Sequence, residues 1–338
     1  MLNYPILKRN GTIGITAPSS GVKKELHPIL KEAIERMEAR GFAVQCGETP
    51  WMHSKLKSAP AYQRAEELNR MLTDPNIDLI IPPWGGELLL EIIDLIDYSA
   101  VQPKWILGYS DTSMLLLAIT LNTGIATAHG TNLIDLRGER TDNTTGKWLE
   151  VLGTKVNQTV QQFSSERYQK DWNFEEPTEM IFDLTHKTQW KLVSGTKKTL
   201  NGRLLGGCVD IIRSLIGTPY GDVKKFQKEQ LLDEPILWYL ENCELTLPDL
   251  RRSLLQMKLA GWFDSISGIL FGRSDANLPQ DGYTVEELYQ DLEKELGVPI
   301  VYDVDCGHVP PQITWINGAR ATVEIKDGKA TVCQLFKT

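Results

Sequence analysis

The chain has 338 residues, of which 41% are hydrophobic and 24% charged, and a formal net charge of −8. Its length exceeds one ordinary small domain and predicts two. The acidic balance argues against a nucleic-acid polymer as partner, and no apolar run reaches the length that spans a bilayer. The first residues lack the basic stretch, apolar core and cleavage site of a signal peptide, so a cytoplasmic protein is expected. Five cysteines are scattered without a C-x-x-C pair. Reduced thiols are therefore expected, with neither a disulfide framework nor a zinc cluster.

In chain order, residues 12–18 form a β-prone run that ends at Ser19-Ser20-Gly21. Residues 25–40 space Leu26, Ile29, Leu30, Ala33, Ile34 and Met37 on one helical face, with Gly41 as the stop. Residues 42–46 read as a strand, 61–72 as a helix, and 77–81 as a third strand running into Trp84-Gly85-Gly86. A helix is predicted over 87–96, a strand over 105–107, a helix over 114–121 and a strand ending at His129-Gly130. This alternation implies βαβ units and a parallel sheet, an α/β fold with ligands beyond the strand C-termini. Residues 138–199 are polar with scattered aromatics and read as a connector, partly a loop over the site. The second half alternates strands (236–240, 266–271, 300–304) with helices (209–216, 248–259, 285–296) and closes in a hairpin around Asp327-Gly328. The domains predicted are 1–137 and 200–338, joined by that connector.

The stretch from Trp105 to Ile119 contains the chemistry-bearing corner. A buried strand ends at Gly108-Tyr109-Ser110, and an apolar helix opens with Asp111, Thr112 and Ser113, residue types that start helices. A serine at such a corner has the logic of a nucleophile elbow, with Thr112 where G-x-S-x-G has its second glycine. A serine needs a base and an orienting group to become a nucleophile. Of five histidines, His27 and His53 read as structural and His186 as a surface residue. His129 and His308 both follow strands. His308, held between Gly307 and Pro310-Pro311, is favoured, with His129 left as the alternative. Glu241, directly after a buried strand, is the best candidate to orient an imidazole, with Glu244 and Asp249 in reserve. Gly85-Gly86 lets a backbone amide approach, so the Gly86 and Asp111 amides are the candidate oxyanion donors. Trp172 and Trp190 are candidates to stack on a planar ligand group. There is no G-x-G-x-x-G after the first strand and no P-loop, so no cofactor is expected. No pair of His, Asp or Glu shows metal-ligand spacing, so no metal is expected either.

These stretches resemble the LD-carboxypeptidase and microcin C immunity family of serine peptidases. The resemblance runs through most of the chain: residues 12–19, the helix from Arg64, Gly85-Gly86, Asp97-Tyr98, Pro103-Lys104, Gly108 to Asp111, His129-Gly130, Gly206-Gly207, residues 216–219, Leu240-Glu241, residues 259–261 and Gly307-His308. It implies an N-terminal glutamine-amidotransferase-like parallel-sheet domain and a C-terminal swivelling β/α domain. It also implies a Ser-Glu-His triad at Ser110, Glu241 and His308, and a homodimer. Murein LD-carboxypeptidases resemble one another in a basic residue before the paired glycines, where this chain has Trp84, and in Tyr-Gly after them, where it has Glu87-Leu88. They also carry an Asn where this chain has Cys208. The aromatic connector and the Gly-Tyr-Ser-Asp-Thr elbow look more like the immunity branch, which cleaves peptidyl or aminoacyl-nucleotide conjugates with a connector Trp on the base. Trp172 is the first candidate for that position and Trp190 the second, with Gly85 as a further substrate contact. A murein tetrapeptide carboxypeptidase and a non-catalytic binding protein on the same fold are the alternatives.

Overall fold

In the computed structural model, which describes residues 2–170 and 178–338, the first half builds a sheet from short buried strands. Strands β1 (Thr12–Ile15), β2 (Ala43–Cys46), β3 (Leu79–Ile80), β4 (Trp105–Gly108) and β5 (Ala128–His129) run parallel in the spatial order β5-β4-β3-β1-β2. Helices α1 (His27–Ala39), α2 (Ala61–Thr73) and α3 (Thr112–Thr123) supply crossovers. The first two bury one stripe each, Leu30, Ala33 and Met37 on α1 and Leu68, Met71 and Leu72 on α2. By contrast α3 is apolar all round, because it packs against both β4 and the long strand over Lys197–Cys208 of the other sheet.

The predicted helix over 87–96 is instead a 3-10 segment, Leu89–Leu95. Its start is drawn into tertiary bonds: buried Arg64 takes the Leu88 carbonyl (2.9 Å) and the Asp111 carboxylate takes the Leu89 N–H (2.9 Å).

The second sheet is built mainly from later residues. In chain order come α4 (Trp148–Leu152), β6 (Thr159–Phe163), β7 (Arg167–Tyr168), β8 (His186–Lys187), β9 (Lys191–Leu192), β10 (Lys197–Cys208), α5 (Val209–Ile212), α6 (Val223–Gln230), β11 (Ile236–Glu241), α7 (Leu247–Leu259), β12 (Ile266–Gly272), α8 (Val285–Leu296), β13 (Ile300–Val304), β14 (Trp315–Ile316), β15 (Arg320–Lys326) and β16 (Lys329–Leu335). Among the described residues the order is β6-β16-β15-β10-β11-β12-β13-β9, parallel from β10 to β13 and antiparallel outside. The hairpin around Asp327-Gly328 is present, both residues holding positive φ.

Two features cross the expected boundaries. Residues 138–199 are not only a connector, since β6 and β9 form the two edges of the second sheet. Conversely β14, near the C-terminus, pairs antiparallel with β5 and completes the first sheet. No helix among the described residues is long and apolar enough to cross a membrane.

Candidate active site

Ser110 lies between β4 and α3 with φ +63, a left-handed conformation that L residues avoid. Its surroundings enforce it. A Cβ on Gly85 would stand 2.5 Å from Ser110 Cβ and 2.9 Å from the Asp111 nitrogen, so only glycine lets the two loops meet. Gly108 is equally constrained: a Cβ there would come within 2.9 Å of the Thr112 methyl, the residue that replaces the elbow's usual second glycine. Asp111 does not cap α3 with its side chain. Its buried carboxylate instead accepts from the Leu89 N–H at 2.9 Å and from the Ser19 hydroxyl. That ties the elbow to the loops after β1 and β3, and burial pushes the Asp111 carboxyl above its ordinary range.

From the other sheet, β11 ends at Glu241, which is fully buried. One carboxylate oxygen, Oε2, accepts the His308 backbone N–H at 3.0 Å and lies 2.7 Å from His308 Nδ1. Gly307 makes this possible, with φ +94 and no side chain where one would overlap Oε2. The other oxygen, Oε1, is 3.9 Å from Nε2 of His129, a wholly buried ring at the end of β5. Burial works against charging Glu241, but His308 outweighs it and holds the carboxyl below its ordinary range. Burial likewise opposes protonation of His308, yet the Glu241 charge and hydrogen bonds from the ring to Cys243 and Glu241 lift it well above 6.5. His129 follows burial instead, and is pushed down to about 4.

Ser110, Gly85, Gly86, Tyr109 and His308 line one cavity of about 420 Å³, together with Ser20, Trp84 and Asn132. The Tyr109 ring meets the His308 ring edge-on at 5.1 Å. His308 presents one side to the cavity while its Nδ1 side faces the buried carboxylate. This arrangement can polarise an imidazole beside a serine hydroxyl and backbone amides, the parts an acyl transfer needs.

Two sequence expectations change here. His53, read as purely structural, also lines the cavity while its Nδ1 lies 3.0 Å from the Gly21 carbonyl. Trp190 is only 2% exposed, donates its indole N–H to Asp305 (2.9 Å) and packs near Trp315, so it offers no free face to a ligand. Of the reserve carboxylates, Asp249 sits in the first turn of α7, bound to Thr246 and Arg252. Trp172 lies outside the described residues. Sequence reasoning missed the placement of His129 against Glu241, although the parallel pairing of Gly108 with His129 puts both at neighbouring strand ends.

Residues 13–130 match the model of the LD-carboxypeptidase N-terminal domain, and residues 201–323 match that of the C-terminal domain. The chain belongs to the LD-carboxypeptidase family. Family members similar to it include a Vibrio cholerae chain with a provisional carboxypeptidase name, 28% identical across 96% of this chain and 95% of that one. The microcin C7 self-immunity protein MccF of Escherichia coli is 23% identical across 96% and 94%. A Bacillus subtilis chain provisionally named a murein peptide carboxypeptidase is 25% identical across 98% and 95%. The structure of MccF in complex with glutamyl sulfamoyl guanosine superposes with a TM-score of 0.83 at 19% identity over all of both chains. That likeness carries the fold: two α/β domains with parallel sheets.

Proposed function

We propose that this family member is a serine hydrolase of the microcin-immunity type, cleaving the amide-type bond of peptidyl or aminoacyl-nucleotide conjugates. One observation carries the reading: a buried carboxylate holds His308 at 2.7 Å on the wall of the cavity that Ser110 also lines. His308 removes the Ser110 proton as the hydroxyl oxygen attacks the scissile carbonyl. Glu241 fixes the ring and balances the imidazolium that forms. The Gly86 and Asp111 amides receive the oxyanion, each such donor being worth about 10²–10³ in kcat. His308 then protonates the leaving group, and water, activated by the same ring, releases the acyl group from Ser110.

The nucleotide part of the reading is supported by structures of similar fold, MccF with glutamyl sulfamoyl guanosine or aspartyl sulfamoyl adenosine and an MccF-like Streptococcus pneumoniae protein with AMP. Likeness to the Bacillus subtilis chain supports a second reading, a murein tetrapeptide LD-carboxypeptidase. Incubating the purified protein with an aminoacyl sulfamoyl adenosine and, separately, with an L,D-tetrapeptide decides between them. Release of the free amino acid from the adenosine conjugate alone is expected, and Ser110→Ala should remove it. Turnover of the tetrapeptide alone reverses the order of the two readings, and undiminished turnover by Ser110→Ala refutes the mechanism.

A further inference from the structure

Cys208 ends β10 and Glu241 ends β11, and the two are direct partners in the parallel register. His308 arrives from the loop after β13. One potential ligand atom from each of these three residues lies within 4.8 Å of the other two. A second thiol, Cys243, hydrogen-bonds the His308 side chain. The ligand set is invisible as spacing in the sequence because its members come from separate strands. Glu241 Oε1 is buried and accepts no hydrogen bond from the described residues. His308, partly exposed on the cavity wall, gives a cation a route in from solvent.

We propose that Cys208, Glu241 and His308 form a zinc-binding site, with water in the fourth position, and that bound Zn²⁺ reversibly inhibits the enzyme. Thiolate, imidazole and carboxylate together suit this borderline-soft ion, whereas Ca²⁺ and Mg²⁺ prefer all-oxygen shells. Ligand bonds of about 2.0–2.3 Å in a tetrahedron set ligand atoms roughly 3.4–3.8 Å apart, so atoms now up to 4.8 Å apart must draw in by about 1 Å, while Glu241 Oε2 and His308 Nδ1, now at 2.7 Å, must part by about 0.7 Å. One thiolate and one carboxylate balance the two positive charges. Binding displaces the thiol proton of Cys208, which now points to Asp210 at 3.4 Å, and the extra proton of the His308 imidazolium, and both protons leave to solvent. Zinc on Glu241 and His308 would dismantle the pair that activates Ser110. The inhibitory consequence therefore rests on the function proposed above, whereas the binding does not.

The test uses the intact protein, kept reduced by a phosphine, with Co²⁺ as a spectroscopic probe and Zn²⁺ in competition with a chromophoric chelator. One equivalent of tetrahedral cobalt with a thiolate-to-cobalt charge-transfer band is expected. The band should vanish in Cys208→Ser and in His308→Ala and persist in Cys333→Ser, and zinc affinity should fall at least about tenfold in the first two. Because the two variants alter different elements, misfolding of one leaves the other decisive. Absence of the band from the wild-type protein, or its survival in Cys208→Ser, overturns the site. Fluorophosphonate labelling of Ser110 should slow at least tenfold with zinc and recover with chelator; unchanged labelling at saturating zinc overturns the inhibition. Failure to label even without zinc counts against the hydrolase reading, while the cobalt spectrum still judges the site.

Discussion

Gly307→Ala tests the link between the two sheets most directly. A methyl at 307 would overlap Glu241 Oε2 and stand 2.5 Å from Glu241 Cδ and 2.8 Å from its Cβ. Non-bonded carbons rest about 3.5–4.0 Å apart, so the carboxylate must retreat by roughly 1 Å. Glu241 is fully buried on a strand paired on both sides, so the retreat carries Oε2 away from His308 Nδ1. Misplacement of that size in a catalytic pair costs about 10²-fold in rate. The left-handed backbone at 307 adds about 1–2 kcal/mol of strain for any L side chain, which lowers the melting temperature by a few degrees. The assay is the rate of fluorophosphonate labelling of Ser110, followed beside thermal melting. A folded Gly307→Ala protein that labels at the wild-type rate would refute the reasoning. Should Gly307→Ala fail to fold, Glu241→Gln keeps the volume and removes the charge, and a loss of about 10³–10⁴ is expected there.

Other outcomes follow from the same geometry. Ser110→Gly should melt higher than Ser110→Ala, since glycine alone relieves the φ of +63, by about 0.5–1 kcal/mol after its extra unfolded-state freedom is counted; equal melting would place the strain elsewhere. Because His308 is held well above 6.5 and must be neutral to act as a base, labelling of Ser110 should rise with pH beyond neutrality. In Glu241→Gln the midpoint should shift down, and a profile flat from acid to alkali contradicts this. Burial opposes ionising Glu234, but bonds from Arg320 and Arg203 outweigh it and lower its pKa from 4.5 to about 2. The unfolded chain therefore binds a proton in that window that the folded chain does not, and stability should fall as pH drops from 4.5 towards 2. Glu234→Gln should lose less melting temperature than wild type over that range, and parallel curves would deny Glu234 the role.

Much of the site was legible because strand ends are local patterns. An apolar run followed by Gly or a lone polar residue located Ser110, Glu241 and His308 without any knowledge of sheet order. What failed depended on distant partners. In β6 the inward residues are Val160 and Gln162, and the Gln162 amide is satisfied by the backbone of Thr314 on both sides (2.9 and 3.1 Å). A strand that buries a glutamine has no apolar alternation to read, so residues 138–199 looked like a connector. Trp190 resembled a free stacking surface because its partner, Asp305, lies 115 residues away in sequence. The adjacency of Cys208 and Glu241 is a matter of register, which no local pattern carries.

The strand β14 has a consequence for how the protein comes to be made. Its residues Trp315 and Ile316 cap the free side of β5, opposite His129 and Ala128. During synthesis the first sheet must wait, with that rim unpaired, until residues 315 and 316 have left the ribosome. An uncovered rim invites pairing with other chains. A fragment ending before residue 315 should accordingly self-associate, and supplying the missing C-terminal piece as a separate chain should restore it to solution.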